Sequence, residues 1–148
     1  MVNMNNMKQT GDACVGMVMA RLIELNFKVL LPFGENHRYD LVVDLGGRFV
    51  RIQCKAGRMY RGAIIFNSCS TNKINGKWTA NDYRGQIEAF AVYSKCNRGL
   101  YLIPVDHVGT SRGTIRLEKS KNNQEKGLRW AANYEMSESS NVDKALAS

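Results

Sequence analysis

The chain has 148 residues, 44% hydrophobic and 23% charged, a balance that excludes a wholly disordered protein and suits one core better than two. Its 21 basic and 13 acidic side chains give a formal charge of +8 at pH 7, which favours a polyanionic partner without identifying it. Cys14, Cys54, Cys69 and Cys96 lie far apart with no C-x-x-C pair, so they read as reduced thiols and not as a zinc site.

Residues 1–9 are polar, with no signal-like apolar core, and no run nears the ~20 apolar residues of a membrane span. A cytoplasmic protein without membrane attachment is expected. Good helix formers over residues 12–26, with Ala13, Val18, Leu22 and Leu25 near helical spacing, predict a mostly buried first helix. Thr10 is its candidate N-cap, Asp12 falls in the first turn, and Asn26 is the candidate stop. Residues 28–31 read as a short strand ended by Pro32 and Gly34, and residues 35–38 as a polar turn.

Residues 39–45 and 48–55 are rich in β-formers and flank Gly46-Gly47, which can take the positive φ angles of a two-residue hairpin turn. Residues 63–68 and 99–105 read as further strands, and residues 69–85, without apolar periodicity, as an exposed loop. Residues 82–93 fit either period; a turn or short helix followed by a strand from Ala89 is expected. Residues 1–136 then form one domain and residues 137–148 a polar, flexible tail.

With Gly46-Gly47 as the turn, Leu45 faces Arg48 and Asp40 lies opposite Gln53. Opposed residues share a face with Cβ atoms about 4.5–5.5 Å apart, and so do residues two apart on one strand, so Asp40, Gln53 and Lys55 converge. A carboxylate, an amide oxygen and an amine so placed suit metal-assisted hydrolysis. Asp40 and Gln53 would ligate a hard divalent cation, the backbone carbonyl of Cys54 would add a third oxygen, and Lys55 would orient or help deprotonate the attacking water. The same residues also fit ordinary polar positions on an exposed hairpin face.

The order helix, strand, Asp-bearing strand and Gln-Cys-Lys strand resembles the PD-(D/E)XK nuclease superfamily, over most of the chain. The runs Lys28-Val29-Leu30-Leu31-Pro32-Phe33-Gly34, Arg38-Tyr39-Asp40-Leu41-Val42-Val43-Asp44 and Arg51-Ile52-Gln53-Cys54-Lys55-Ala56-Gly57-Arg58 are similar to the group that includes an intron-encoded bacterial homing endonuclease. So are Gly99-Leu100-Tyr101-Leu102-Ile103-Pro104-Val105 and Arg129-Trp130-Ala131-Ala132-Asn133-Tyr134. The resemblance implies an α/β, restriction-endonuclease-like core with a mixed central β-sheet flanked by helices. It also implies Mg2+ or another hard divalent cation, and site-specific cleavage of double-stranded DNA in the service of intron homing. A Holliday junction resolvase, a restriction-like nuclease and a catalytically inactive DNA-binding variant of the same fold stay open.

Three residues depart from the family pattern. Tyr39 replaces the Pro of the family name, and Gln53 replaces the usual Asp or Glu, which removes one negative charge from the site. Val15 stands where the first helix of related nucleases often brings a Glu to the catalytic centre. A valine neither ligates an ion nor holds a water, so the departure implies weak ion binding and slow or abolished cleavage; plain core packing accounts for Val15 equally well.

Arg48, Arg51, Lys55, Arg58 and Arg61, with Tyr60 among them, form a basic cluster suited to phosphates, or else a solvated surface. Asn72, Lys73, Asn75, Lys77, Trp78 and Arg84 form a second recognition candidate, in which Trp78 fits a core anchor equally well. Lys119, Lys121, Lys126 and Arg129 make a more distant basic stretch, and His37 and His107 receive no catalytic role. One small domain carries one hydrolytic constellation while a duplex needs two cuts. A symmetric homo-oligomer is therefore expected, a dimer at minimum with a dimer of dimers open, and with Leu100, Tyr101, Leu102 and Ile103 near a subunit contact.

Overall fold

The computed structural model describes residues 4–148, with side chains from Lys8 onward, so residues 1–3 of the polar opening lie outside the described residues. Helix α1 runs Met4–Glu24, which starts earlier than expected. Thr10 is therefore inside the helix and not its N-cap, and Asp12 lies beyond the first turn, because Met4, Met7, Lys8 and Gln9 are good helix formers that propagate upstream. Among the described side chains of α1, Cys14, Val18 and Leu22 are fully buried. The helix thus buries one stripe and is not mostly buried. Its end is as expected: Asn26 takes φ 65, its N–H donates to Ile23 O at 2.9 Å, and the Phe27 N–H donates to Leu22 O at 3.0 Å, the paired bonds of a left-handed helix stop.

The strands are β1 (Lys28–Leu30), β2 (Leu41–Asp44), β3 (Phe49–Tyr60), β4 (Ala63–Asn67), β5 (Cys69–Ile74), β6 (Lys77–Asp82), β7 (Ala89–Ser94), β8 (Gly99–Pro104) and β9 (Arg112–Arg116). Seven of them form a mixed sheet in the order β1-β2-β3-β4-β9, with β7 parallel to β3 and β8 antiparallel to β7. Gly46, at φ 91, turns β2 into β3, and the ladder pairs Leu41 with Ile52 and Asp44 with Phe49 in the expected register. Side chains on one sheet face pack against α1, and those on the other form a second core around Ile64, Phe66, Phe90, Tyr101, Ile103 and Ile115. Strand β7 is buried on both faces, which explains why its sequence shows neither period cleanly.

Three expectations need correction. Residues 69–85 are not an irregular loop: β5 and β6 pair from Cys69↔Asp82 to Ile74↔Lys77, closed by Asn75 and Gly76 at φ 49 and 78. Asn-Gly supplies the two positive φ angles of a tight hairpin turn, while all of β6 is exposed, so no apolar alternation advertises the ribbon. Residues 137–148 are not a flexible tail, since Ser139–Ala147 form helix α2. Val142, Ala145 and Leu146, at i, i+3 and i+4, are buried in the α1-side core, and the Arg48 guanidinium donates to the Leu146 carbonyl at the end of α2. Lastly, Tyr101, Leu102 and Ile103 are buried within the subunit, and the Leu102 N–H and Leu100 carbonyl bond Tyr134 and Met136, so these side chains cannot form a subunit contact. No helix among the described residues is long and apolar enough to cross a membrane.

Candidate active site

Strand β2 stops pairing with β3 at Ile52, and over Gln53–Gly57 the strand partner of β3 among the described residues is β7 alone. One edge of β3 is therefore open there, and Asp40 occupies its start. The Asp40 N–H donates to Ile52 O at 2.9 Å, the carbonyl of the residue already paired with Leu41, so the ladder breaks register here, and its Oδ2 accepts from the Cys54 N–H at 2.8 Å, where a further strand carbonyl would otherwise sit. In an extended strand the N–H and C=O of one residue share an edge, so the Cys54 carbonyl lies on this same open edge. The Cys54 side chain points to the opposite side, into the α1 core.

Gln53 and Lys55 project to the other face, while Asp40 sits at the open edge: its ladder with β3 ends at Leu41↔Ile52, so the expected Asp40–Gln53 pairing does not form, and Asp40 lies instead within the electrostatic reach of both Lys55 and Asp12. Burial holds the Asp40 carboxyl above its ordinary value, offset by the Cys54 N–H and the Lys55 charge and reinforced by Asp12. The Gln53 Oε1 is buried with no hydrogen-bond partner, which costs about 1–3 kcal/mol unless a water or an ion takes it. Lys55 Nζ lies 3.3 Å from the Tyr83 hydroxyl. Asp40 also lines an open cleft of about 400 Å³ with Asp12, Val15, Leu31, Glu35 and Tyr39.

These residues fit a hard divalent cation. The orphaned Gln53 oxygen, the Asp40 carboxylate and the Cys54 carbonyl are all oxygen donors, and a cation such as Mg2+ is commonly held by one or two carboxylates, waters and substrate phosphates. No group of three or more His, Cys, Asp and Glu side chains forms a metal site among the described residues, so the amide and backbone oxygens are essential to this set. Val15 is half-buried, packing against the α1-side core while it borders the cleft.

The basic residues divide by what already holds them. Arg58 and Arg61 are exposed, with the Arg61 guanidinium 5.1 Å from the Tyr60 ring centroid. Asn72, Lys73, Asn75 and Lys77 project from the exposed ribbon, and Trp78 is 70% exposed with Lys73 Nζ 5.7 Å from its ring, so it is no core anchor. Arg84 is tied back to Asp82 at 3.1 Å and to Val108 O at 2.7 Å. Arg51 pairs with Glu88 at 2.6 Å.

That pair predicts a pH-dependent contribution to stability. Burial alone would raise Glu88, but hydrogen bonds from the Arg51 side chain and backbone outweigh it and hold the carboxyl below its ordinary value. With the folded pKa below the unfolded one, the stabilisation is present above the unfolded carboxylate range and is lost as pH falls through the folded value. Arg51→Ala should therefore cost about 1–2 kcal/mol at neutral pH, discounted for partial exposure, and much less near pH 3. Urea denaturation of both proteins at the two pH values measures this, and an equal gap at both would remove the charge pair from the account.

Arg38 and Tyr83 were missed as site residues from the sequence. The Arg38 guanidinium lies 3.9 Å from the Tyr83 ring centroid and donates to Ser70 Oγ at 2.5 Å, to Asp82 O at 3.0 Å and to Gln86 Oε1. Its nearness to Asp40 in the chain was the available hint, whereas nothing local pairs Tyr83 with a lysine 28 residues away.

No curated protein matches the sequence. In three dimensions the chain is similar to a bacterial homing endonuclease, I-Ssp6803I, with a TM-score of 0.70 at 23% identity over 95% of each chain, a likeness of fold. The PD-(D/E)XK endonuclease family profile matches residues 5–137, from α1 through the Asp40 and Gln53–Lys55 strands to the segment bordering β8. By that match, which takes in nearly all of the described chain, the protein belongs to the PD-(D/E)XK endonuclease family.

Proposed function

We propose that this nuclease is a site-specific, metal-dependent endonuclease of double-stranded DNA, acting as one nuclease domain in a homo-oligomer of at least two subunits. The observations that carry the metal site are the Asp40 carboxylate, held by the Cys54 N–H on the open edge of β3, and the partnerless Oε1 of the adjoining residue Gln53. Asp40, Gln53 and the Cys54 carbonyl would hold Mg2+, which when bound polarises the scissile phosphate and acidifies a water. Asp40 is oriented by the Cys54 N–H, and the Lys55 ammonium, whose charge acts on the Asp40 carboxyl, would orient the attacking water. The fold shared with a homing endonuclease supports an intron-encoded role, in which the protein cuts an intronless target. Selection of cleaved sites from a randomised duplex library in Mg2+ tests this reading: recovery of one defined, near-palindromic site supports it, and cutting only of four-way junctions favours a resolvase. A second reading, DNA binding without cleavage, is favoured by Val15 at the cleft and predicts binding to a defined site with no product.

Arg58, Tyr60 and Arg61 at the β3–β4 turn, with Asn72, Lys73, Asn75 and Lys77 on the ribbon, form the proposed DNA surface. Arg58→Ala and Arg61→Ala should each weaken binding. A lost phosphate contact lowers affinity for all sequences and flattens the salt slope by about one, whereas a lost base contact costs about 1–3 kcal/mol and relaxes specificity at one position. Binding titrations over a range of salt separate the two, and unchanged affinity in both variants would move the interface elsewhere.

A further inference from the structure

We propose that Tyr83 is the positioning residue for Lys55, and that through Arg38 its placement depends on the root of the β5–β6 ribbon. This role rests on Lys55 acting at the scissile phosphate. Tyr83 is 4% exposed and lies between two cations: the Arg38 guanidinium 3.9 Å from its ring centroid, and Lys55 Nζ 4.9 Å from that centroid and 3.3 Å from its hydroxyl. The ring is fixed by edge-to-face contact with Phe90 at 5.5 Å, and its backbone carbonyl accepts from the Gln86 and Ile87 N–H groups at 2.9 and 3.2 Å. A lysine ammonium sits on a flexible four-carbon stem and must be held to act at one atom. The Tyr83 hydroxyl accepts one of its protons, and the ring offers a face to its charge.

Arg38 extends this arrangement to the recognition element. It donates to Ser70 Oγ in β5 and to the carbonyls of Asn81 and Asp82 in β6, at 2.5, 3.4 and 3.0 Å, and to Gln86 on the chain that follows. The rest of the ribbon is exposed, so a duplex that seats it also sets its root, and Arg38, Tyr83 and Lys55 follow. DNA that holds the ribbon in another position would be bound and cut slowly, so that selection of the target extends from binding to the hydrolytic step.

Tyr83→Phe keeps the ring for Phe90 and Arg38 and removes the hydroxyl alone. With saturating target duplex, single-turnover cleavage should fall about tenfold while DNA affinity stays within about twofold. Labelling of Lys55 by acetic anhydride, read by mass spectrometry against exposed lysines, should rise about twofold or more, because the amine loses its partner. Arg38→Ala should slow cleavage similarly, speed hydrogen exchange across residues 69–82, and lower the ratio of target to non-target cutting. Tyr83→Phe cutting at the wild-type rate, or with Lys55 labelling unchanged, overturns the proposal. Absence of cutting by the wild-type protein counts against the nuclease reading instead, and the labelling then decides the role of Tyr83.

Discussion

Asp40→Asn is expected to reduce duplex cleavage on the order of 10³-fold while leaving the fold intact, because the asparagine keeps an oxygen for the Cys54 N–H, held at 2.8 Å by Asp40, and loses the one charged ligand of the site. The direction of the Asp40 shift makes the stability half of this result specific. Burial raises the folded pKa above the unfolded one, so ionised Asp40 is a cost to the fold at neutral pH, and the cost fades as pH falls through the folded value. A neutral isostere removes that cost, and the melting temperature at pH 7 should not drop. Lys55→Ala should lose cleavage to a similar degree, since alanine cannot orient a water, and Gln53→Ala should lose it through the missing oxygen. Nicking assays paired with thermal melts check all three. Folded variants that cut at near-normal rates would exclude these residues from the chemistry.

Val15→Glu is expected to act in the opposite direction, raising Mg2+ affinity and cleavage about tenfold or more, as added ligand charge does in hard-cation sites. Val15 borders the same cleft as Asp40 and Asp12, so a glutamate there adds a carboxylate to that cleft. The added carboxylate would repel Asp12 and Asp40 until a cation neutralises them. The melting temperature should therefore fall without metal and rise more steeply with Mg2+ than that of the wild type. Thermal melts across a Mg2+ titration, alongside cleavage rates, measure both effects. If neither the metal response nor cleavage changes, Val15 is a packing residue of α1 and the family register at that position does not apply.

The β2–β3 hairpin was legible because Gly46-Gly47 leaves one register, which holds from Asp44↔Phe49 to Leu41↔Ile52; the extension of that register to Asp40 and Gln53 did not hold, because Asp40 turns its N–H to Ile52 O and its carboxylate to the Cys54 N–H. The open edge beside them was not legible, since it depends on where β2 stops and on β7 arriving from a distant part of the chain. The β5–β6 ribbon hid itself because a hairpin with two exposed faces carries no hydrophobic period, and the Asn75-Gly76 pair was its one local mark. Helix α2 was missed for a related reason: Val142, Ala145 and Leu146 are a short apolar stripe in a polar stretch, and only packing on the sheet makes them a helix face. The pairings of Arg48 with Leu146, Arg51 with Glu88 and Arg38 with Tyr83 join residues distant in sequence, so a basic cluster read from the chain could not be divided into scaffold and free cations.

The central claim is that a divalent cation is held by Asp40 and Gln53. Titration of the protein on its duplex with paramagnetic Mn2+, followed by NMR, tests it most directly. The Gln53 side-chain amide and the Cys54 backbone amide should broaden before other resonances in the wild-type protein, and should persist to much higher Mn2+ in Asp40→Asn. Broadening centred elsewhere, or equal broadening in the two proteins, would contradict the account.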